Sequence, residues 1–439
     1  MKNNFQYLHL SSLIVLFFIF NPALAKTALN TKTWATSSGV QVVFHQANEV
    51  PLLDISIAFD AGSARDEKHF GLSELTARIL DKGYGGLKPG ILADQFAATG
   101  ATHTTGSSQD MLTLSLRTLV EPPALSKATE LFASLINNPT FSTDSLSHAK
   151  NQQLMAIKQN QESPAIIAEN AFYNALYGAH PYGHPIHGDS KTVNAITLKD
   201  IQQFYQRFIV GNNAVMVLVG AIDETRAHQI TEQITKGISK GTKAPAIPHA
   251  TMLKQAINID IPHPGSQTIL CSGQLGITHQ DKDYFPLMVG NHILGGGSLV
   301  TELAHELREK RGLTYSVTSK FSAMPGVGPF IILLSTKNSQ TQAARQITHD
   351  TVDRFIKNGP SESVLTAAKH NLTGSFPQAL AGNKNITNML LRIAFYHLPE
   401  NFLNDYVSHV NAVSIIDIQN AFQRHLKLAN FINITVGNS

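Results

Sequence analysis

Apolar and polar positions along this chain switch period several times, and each switch marks an element. Residues 52–59 (LLDISIAF) and 214–220 (AVMVLVG) are short apolar runs rich in β-branched residues, as strands are, and the second reads as a buried strand. Residues 111–118 alternate, with Leu112, Leu114 and Leu116 on one face, and 42–44 and 101–107 read as further strands. Helical periodicity occupies 72–82 and 91–98, then a long tract over 125–177 broken at Asn138-Pro139 and Ser163-Pro164, then 224–236. Residues 237–249 (GISKGTKAPAIPH) are rich in Gly, Pro and Lys without apolar period, which makes them the best linker in the chain.

Beyond the linker the same order returns. A strand at 268–275 precedes helices at 284–294 and 299–310, strands at 315–322 and 330–336, helices at 338–355, 362–376 and 386–396, and a closing strand at 431–436. Gly211-Asn212-Asn213 before the closing strand of the first half is echoed by Leu428-Ala429-Asn430 before that of the second. The simplest account is an α+β fold of two homologous domains from duplication, each a mostly antiparallel sheet packed with helices. Two unrelated α/β domains are the other reading. The expected divisions are 1–25 for a leader, 26–236, a linker at 237–252, and 253–439.

The start of the chain concerns location. Lys2 precedes the apolar run 13–20 (LIVLFFIF), and Ala23-Leu24-Ala25 supplies the small-x-small pattern of a signal-peptidase site. A run this short falls below the roughly 20 residues that span a bilayer, and no later segment is long enough to anchor the chain. A secreted or periplasmic protein, cleaved near Ala25, is the expectation. Charge excludes one class of ligand: 34 Lys plus Arg against 31 Asp plus Glu leave +3, without the concentrated basic face that nucleic acid requires. The single cysteine, Cys271, can form neither an intrachain disulfide nor a paired thiolate zinc site, and it falls in an expected strand. No G-x-S-x-G nucleophile motif occurs.

Several segments resemble one family. These are 57–65 (IAFDAGSAR), 71–83 (GLSELTARILDKG), 180–188 (HPYGHPIHG) and 294–317 (LGGGSLVTELAHELREKRGLTYSV), in order and spread over the chain after the leader. They are similar to the pitrilysin/insulinase family of zinc metallopeptidases, the inverzincins. That resemblance implies a clam-like arrangement of paired domains and a zinc helix carrying His-x-x-Glu-His. Two imidazoles at i and i+4 bind the metal there, and the Glu between them activates water.

Here the equivalent positions hold Glu74, Ala77 and Arg78. Alanine cannot accept a proton, and an arginine repels a dication. The region 151–161 (NQQLMAIKQNQ), where the family's third ligand falls, contains no acid. The helix is therefore expected to be structural, solvated, and held by a Glu74–Arg78 pair at i, i+4. What the first half lacks, the second keeps: Arg308 and Tyr315 match the family's arginine–tyrosine pair, which the resemblance implies reaches to a zinc centre and hydrogen-bonds substrate backbone and developing oxyanion. A guanidinium and a phenol are donors that can be aimed where negative charge appears. The bland alternative is a helix-end cation and a half-buried strand residue. Gly295, Gly296 and Gly297 open the same motif, as a substrate-engaging loop or as a plain turn. His180, His184 and His187 lie close together, and His103 is a further candidate, but Pro181 and Pro185 break any helical presentation of a metal site.

The resemblance thus implies the non-zinc subunit of a periplasmic heterodimeric metallopeptidase acting on peptides. The chain would hold no cofactor itself. A homologous partner would carry the zinc and would be completed by Arg308 and Tyr315. The alternatives are a purely structural or peptide-binding homologue and, less simply, a peptidase with a relocated zinc site.

Overall fold

In the computed structural model, residues 29–81, 83, 89–297 and 300–438 are described, so the leader expected at 1–25 lies outside them. The N-terminal half builds a six-stranded sheet from β1 (Thr31–Ala35), β2 (Gln41–Gln46), β3 (Leu52–Phe59), β4 (Thr102–Ser107), β5 (Leu112–Leu119) and β6 (Ala214–Gly220). The C-terminal half builds a five-stranded sheet from β7 (Ile257–Ile261), β8 (Gln267–Leu275), β9 (Thr314–Phe321), β10 (Pro329–Lys337) and β11 (Ile432–Val436).

The strand orders are β1-β2-β6-β3-β5-β4 and β7-β11-β8-β10-β9. Leaving out β1, the two orders follow one rule: the closing strand of each half inserts beside the opening one. That insertion is parallel, β2 with β6 and β7 with β11, while every other pairing among these eleven strands is antiparallel. Repeated topology and mostly antiparallel pairing match the duplicated α+β architecture that the periodicity predicts. The chain between the helix Glu224–Thr235 and β7 contains neither helix nor strand.

The apolar runs have a packing reason. In β6, Met216 and Leu218 face the helices of their own half, together with Ile55 and Ile57 of β3. Val215, Val217 and Val219 face the other way, onto Ile386, Leu390 and Ile393 of the helix Asn383–Phe395, which belongs to the C-terminal half. The exchange is mutual. Ile432, Ile434 and Cys271 of the second sheet are covered by Phe172 and Leu176 of the helix Pro164–Tyr177, from the N-terminal half. Central strands such as β3 and β6 are thus buried on both faces, which replaces polar alternation with continuous apolar sequence.

A polar knot joins the halves where these cores meet. Tyr182 donates to Asp110 Oδ1 at 2.7 Å and Tyr396 donates to Oδ2 at 3.0 Å, with Tyr182 itself fully buried. Burial pushes the Asp110 carboxyl above the usual carboxylate range, against the pull of both tyrosine hydroxyls.

Several elements depart from the sequence pattern. The strands β1 and β7 and the helices Ser190–Ala195, Leu198–Phe208, Phe402–Ala412 and Ile415–His425 were not in the predicted set. The expected helix 299–310 is instead a short helix, Glu302–Ala304, running into a π turn at His305–Glu309. The helix expected at 284–294 runs over Tyr284–Asn291 and continues as a second π turn, His292–Gly296.

Candidate functional site

Two sets of residues bear on chemistry, one in each half. The first sits on the helix Leu72–Leu80. Its leading amides are held by the buried Asp66, whose carboxylate accepts from Gly71 N at 2.6 Å and Ser73 N at 2.8 Å. Arg78 and Glu74 pair at 2.8 Å, as the i, i+4 spacing predicts. The expectation of a solvated helix is wrong, however. Every residue of the helix except Arg78 is buried, because β4 and the helices Thr143–Gln161 and Leu198–Phe208 pack around it. Glu74 is 8% exposed, and His187 Nδ1 lies 3.7 Å from the carboxylate oxygen that Arg78 holds.

Glu74, Ala77, Arg78, Asp81, Thr105, Gly106 and Gln152 line a pocket of about 170 Å³. Gln152 is the residue that the helix Thr143–Gln161 contributes, an amide on the stretch where the sequence lacks an acid. This set does not suit zinc. It offers a methyl group where a base belongs and an amide in place of a carboxylate. Of its two carboxylates, Glu74 is held by a guanidinium, a fixed cation that would repel the metal, and Asp81 is paired with His103.

The histidines have partners other than a metal. His184 stacks on Phe70 with ring centroids 4.2 Å apart, His180 is hydrogen-bonded to the Pro248 carbonyl at 2.8 Å, and His103 pairs with Asp81 at 3.2 Å. Among the described residues, one group brings three possible metal ligands together, Asp281, Asp283 and His425. There Arg424 forks onto Asp283 with bonds of 2.8 and 2.7 Å, so the carboxylate is already met by a cation and held below its usual range.

The second set surrounds Arg308 and Tyr315, and four local devices shape it. The π turn His305–Glu309 closes with Lys310 N donating to His305 O at 3.0 Å. Gly312 then ends the helical segment at φ +60°, with Gly312 N bonded to Arg308 O and Leu313 N to Leu307 O, at 3.0 and 2.8 Å. The first of these bonds, from the amide of Gly312 to the carbonyl four residues back, is that of an αL ending, which requires the left-handed residue that glycine supplies.

β9 starts with a bulge. Thr314 pairs with Thr336 and Val317 with Leu334, so Tyr315 and Ser316 together oppose Ser335 alone. The Thr314 hydroxyl pins the bulge, accepting from Ser316 N at 3.1 Å and lying within 2.7 and 2.6 Å of the carbonyls of Ser316 and Ser335. Bulges re-aim side chains, and here Tyr315 is 88% exposed. The Arg308 guanidinium carbon lies 5.8 Å from the centre of its ring, inside the range of a cation–π contact. Tyr315 is therefore not half-buried strand filler.

Gly295 and Gly296 end the π turn His292–Gly296, and Gly297 follows it. Gly295 is buried against β9: a Cβ there would come within 2.5 Å of Ser319 Oγ, so the position serves close packing behind the strand that carries Tyr315. Sequence reading missed Gln152, Thr314 and Glu306. The last was detectable, since it stands four residues before Lys310 with the spacing of a helical ion pair.

A family model described as Insulinase (Peptidase family M16) matches residues 41–190, and one described as Peptidase M16 inactive domain matches 195–372. The chain is 22% identical over 389 residues to an uncharacterized zinc protease, YmxG, of Bacillus subtilis, covering 88% of this chain and 93% of that protein. It is 25% identical over 412 residues to a protein of Helicobacter pylori described as a non-peptidase homolog, covering 91% of this chain and 92% of the relative. The crystal structure of a peptidase M16 inactive domain from Pseudomonas fluorescens is 35% identical, with a TM-score of 0.90, and the match covers 94% of this chain and 99% of that one. Together with a zinc helix whose ligand positions are filled by an ion pair, these matches show that the chain belongs to the insulinase family of peptidases, family M16, as a member of its inactive type.

Proposed function

We propose that this chain is the non-zinc subunit of a periplasmic, heterodimeric M16 peptidase and that it supplies Arg308 and Tyr315 to the active site of a zinc-bearing homologue. The observation that carries the reading is the contrast between the two halves. The first fills its metal position with Arg78 and Glu74, while the second presents an outward tyrosine beside a guanidinium. Among the described residues, neither side chain donates a hydrogen bond or joins an ion pair; their contact is with each other. Both suit a peptide carbonyl, the guanidinium as a charged donor and the phenol as a neutral one, where negative charge grows during hydrolysis. The zinc and the water it activates would belong to the partner. The apolar run and small-x-small site near the start support the periplasmic location.

A scaffold or peptide-binding role is the second reading, favoured by the description of the Helicobacter pylori relative as a non-peptidase homolog. The test is to mix this chain with a homologous subunit that carries an intact His-x-x-Glu-His and to follow cleavage of an unstructured peptide. Hydrolysis by the mixture and by neither chain alone is expected. Hydrolysis by this chain alone with stoichiometric zinc would sink the proposal, and a mixture no faster than the partner alone would leave a scaffold.

A further inference from the structure

The segment around Arg308 is dense in charge, and its pairing is uneven. His305, Arg308, Lys310 and Arg311 stand beside Glu306 and Glu309. His305 takes Glu309, at 2.8 Å. Glu306 takes the rest: Lys310 at 2.9 Å, Arg311 at 2.6 Å, and Arg354 from the helix Thr341–Asn358 at 3.3 Å. Arg311 also donates to the main-chain carbonyl of Glu306 at 2.8 Å, which ties the two ends of the turn together. Among the described residues, Arg308 is the cation of this run with no carboxylate in contact.

We infer that Glu306 is a positioning residue for Arg308. It gathers the neighbouring cations inward and fixes the turn, so that Arg308 alone is left facing Tyr315. Glu306 is 7% exposed, too enclosed to meet a peptide, so its effect runs through its neighbours. Charge-assisted bonds of this length are the strong kind, and several on one carboxylate hold a short segment in a single geometry. Without the carboxylate, Lys310 and Arg311 are released into the same region. They then compete with Arg308 for any developing negative charge, and the guanidinium loses its place over the Tyr315 ring. A donor displaced by about 1 Å is enough to cost a large part of its effect on rate.

This inference rests on the reading of Arg308 and Tyr315 as donors to substrate, so its test has one arm that needs no activity. In the reconstituted pair of subunits, Glu306→Gln is expected to lower kcat about tenfold with KM changed by less than about twofold, since the lost contact acts in the transition state. In an Arg308→Ala background, Glu306→Gln is expected to cost nothing further. Equal losses in both backgrounds, or no loss in either, would overturn the proposal. The second arm follows the Nε–Hε resonance of Arg308 in the isolated chain. The ring of Tyr315 should shift it, a shift that Tyr315→Leu abolishes and that Glu306→Gln is expected to abolish as well. Retention of the shift in Glu306→Gln overturns the positioning role whatever the kinetics show. A silent Arg308→Ala, with the resonance behaving as described, would instead count against the proposed catalytic role alone. Should Glu306→Gln not fold, Arg311→Gln removes one tie, keeps the carboxylate and carries the same cycle.

Discussion

Glu74 and Glu306 show how one residue type is put to opposite uses by its neighbours. Glu74 meets a single guanidinium, Arg78, and together they occupy the position where the family's peptidases place a metal. Glu306 meets three cations, and the bonds from Lys310 and Arg311 hold its carboxyl at about 2, below the ordinary 4.5. The sign of the pH dependence follows. A carboxyl lowered in the folded state stabilises the fold above its unfolded value, and this contribution is lost as pH falls. Urea unfolding of the wild type and of Glu306→Gln is therefore expected to differ by a constant amount above 4.5, with the difference shrinking between 4.5 and 2. A difference independent of pH across that range would contradict the account. At this scale the sequence was readable for Glu74, Ala77 and Arg78, because a motif fixes their positions. For Glu306 the sequence offers only the i, i+4 spacing to Lys310; that the carboxylate is enclosed and also gathers Arg311 and Arg354 is visible in the structure alone.

At the scale of elements, the turn from Arg308 to Tyr315 depends on geometry that has no sequence period. A π turn, a left-handed glycine ending and a β-bulge follow one another within twelve residues, His305 to Ser316, and only Gly312 announces any of them. This is why the sequence pattern reads the region as a plain helix followed by a plain strand. The central strands were legible because two buried faces impose long apolar runs, as in β3 and β6. The strands β1 and β7 sit at sheet edges with half-exposed, mixed sequence (TKTWA and INIDI) and carry no such signal. The bulge offers its own test. Thr314→Val keeps the shape but removes the hydroxyl that bonds to Ser316 N and meets two carbonyls. Expected are a loss of about 0.5–1.5 kcal/mol in unfolding free energy, since partly buried backbone groups lose a partner, and a fall in kcat of the mixed peptidase without loss of subunit binding. Unchanged stability and rate would show that the bulge forms without Thr314.

On the scale of the molecule, the halves are interlocked by exchanged helices and by the Asp110 knot, which draws Tyr182 and Tyr396 onto one carboxyl. Burial raises that carboxyl, so its protonation favours the folded state and its contribution weakens as pH rises through the titration. Asp110→Ala leaves two tyrosine hydroxyls without their acceptor and is expected to cost about 2–3 kcal/mol, whereas Asp110→Asn retains an acceptor and removes the pH dependence. Calorimetry of both variants checks this, and equal stability of the two would contradict it. Rigid halves matter because the proposed role asks one chain to present Arg308 and Tyr315, fixed in place, to an active site on another. The most direct test of that role uses the complex of this chain with its zinc-bearing homologue, prepared with Arg308→Ala or Tyr315→Phe and confirmed intact by analytical ultracentrifugation. The account predicts a fall in kcat for peptide hydrolysis of about 10²–10³ for Arg308→Ala, with a smaller fall for Tyr315→Phe. Full activity of both variants in intact complexes would contradict it.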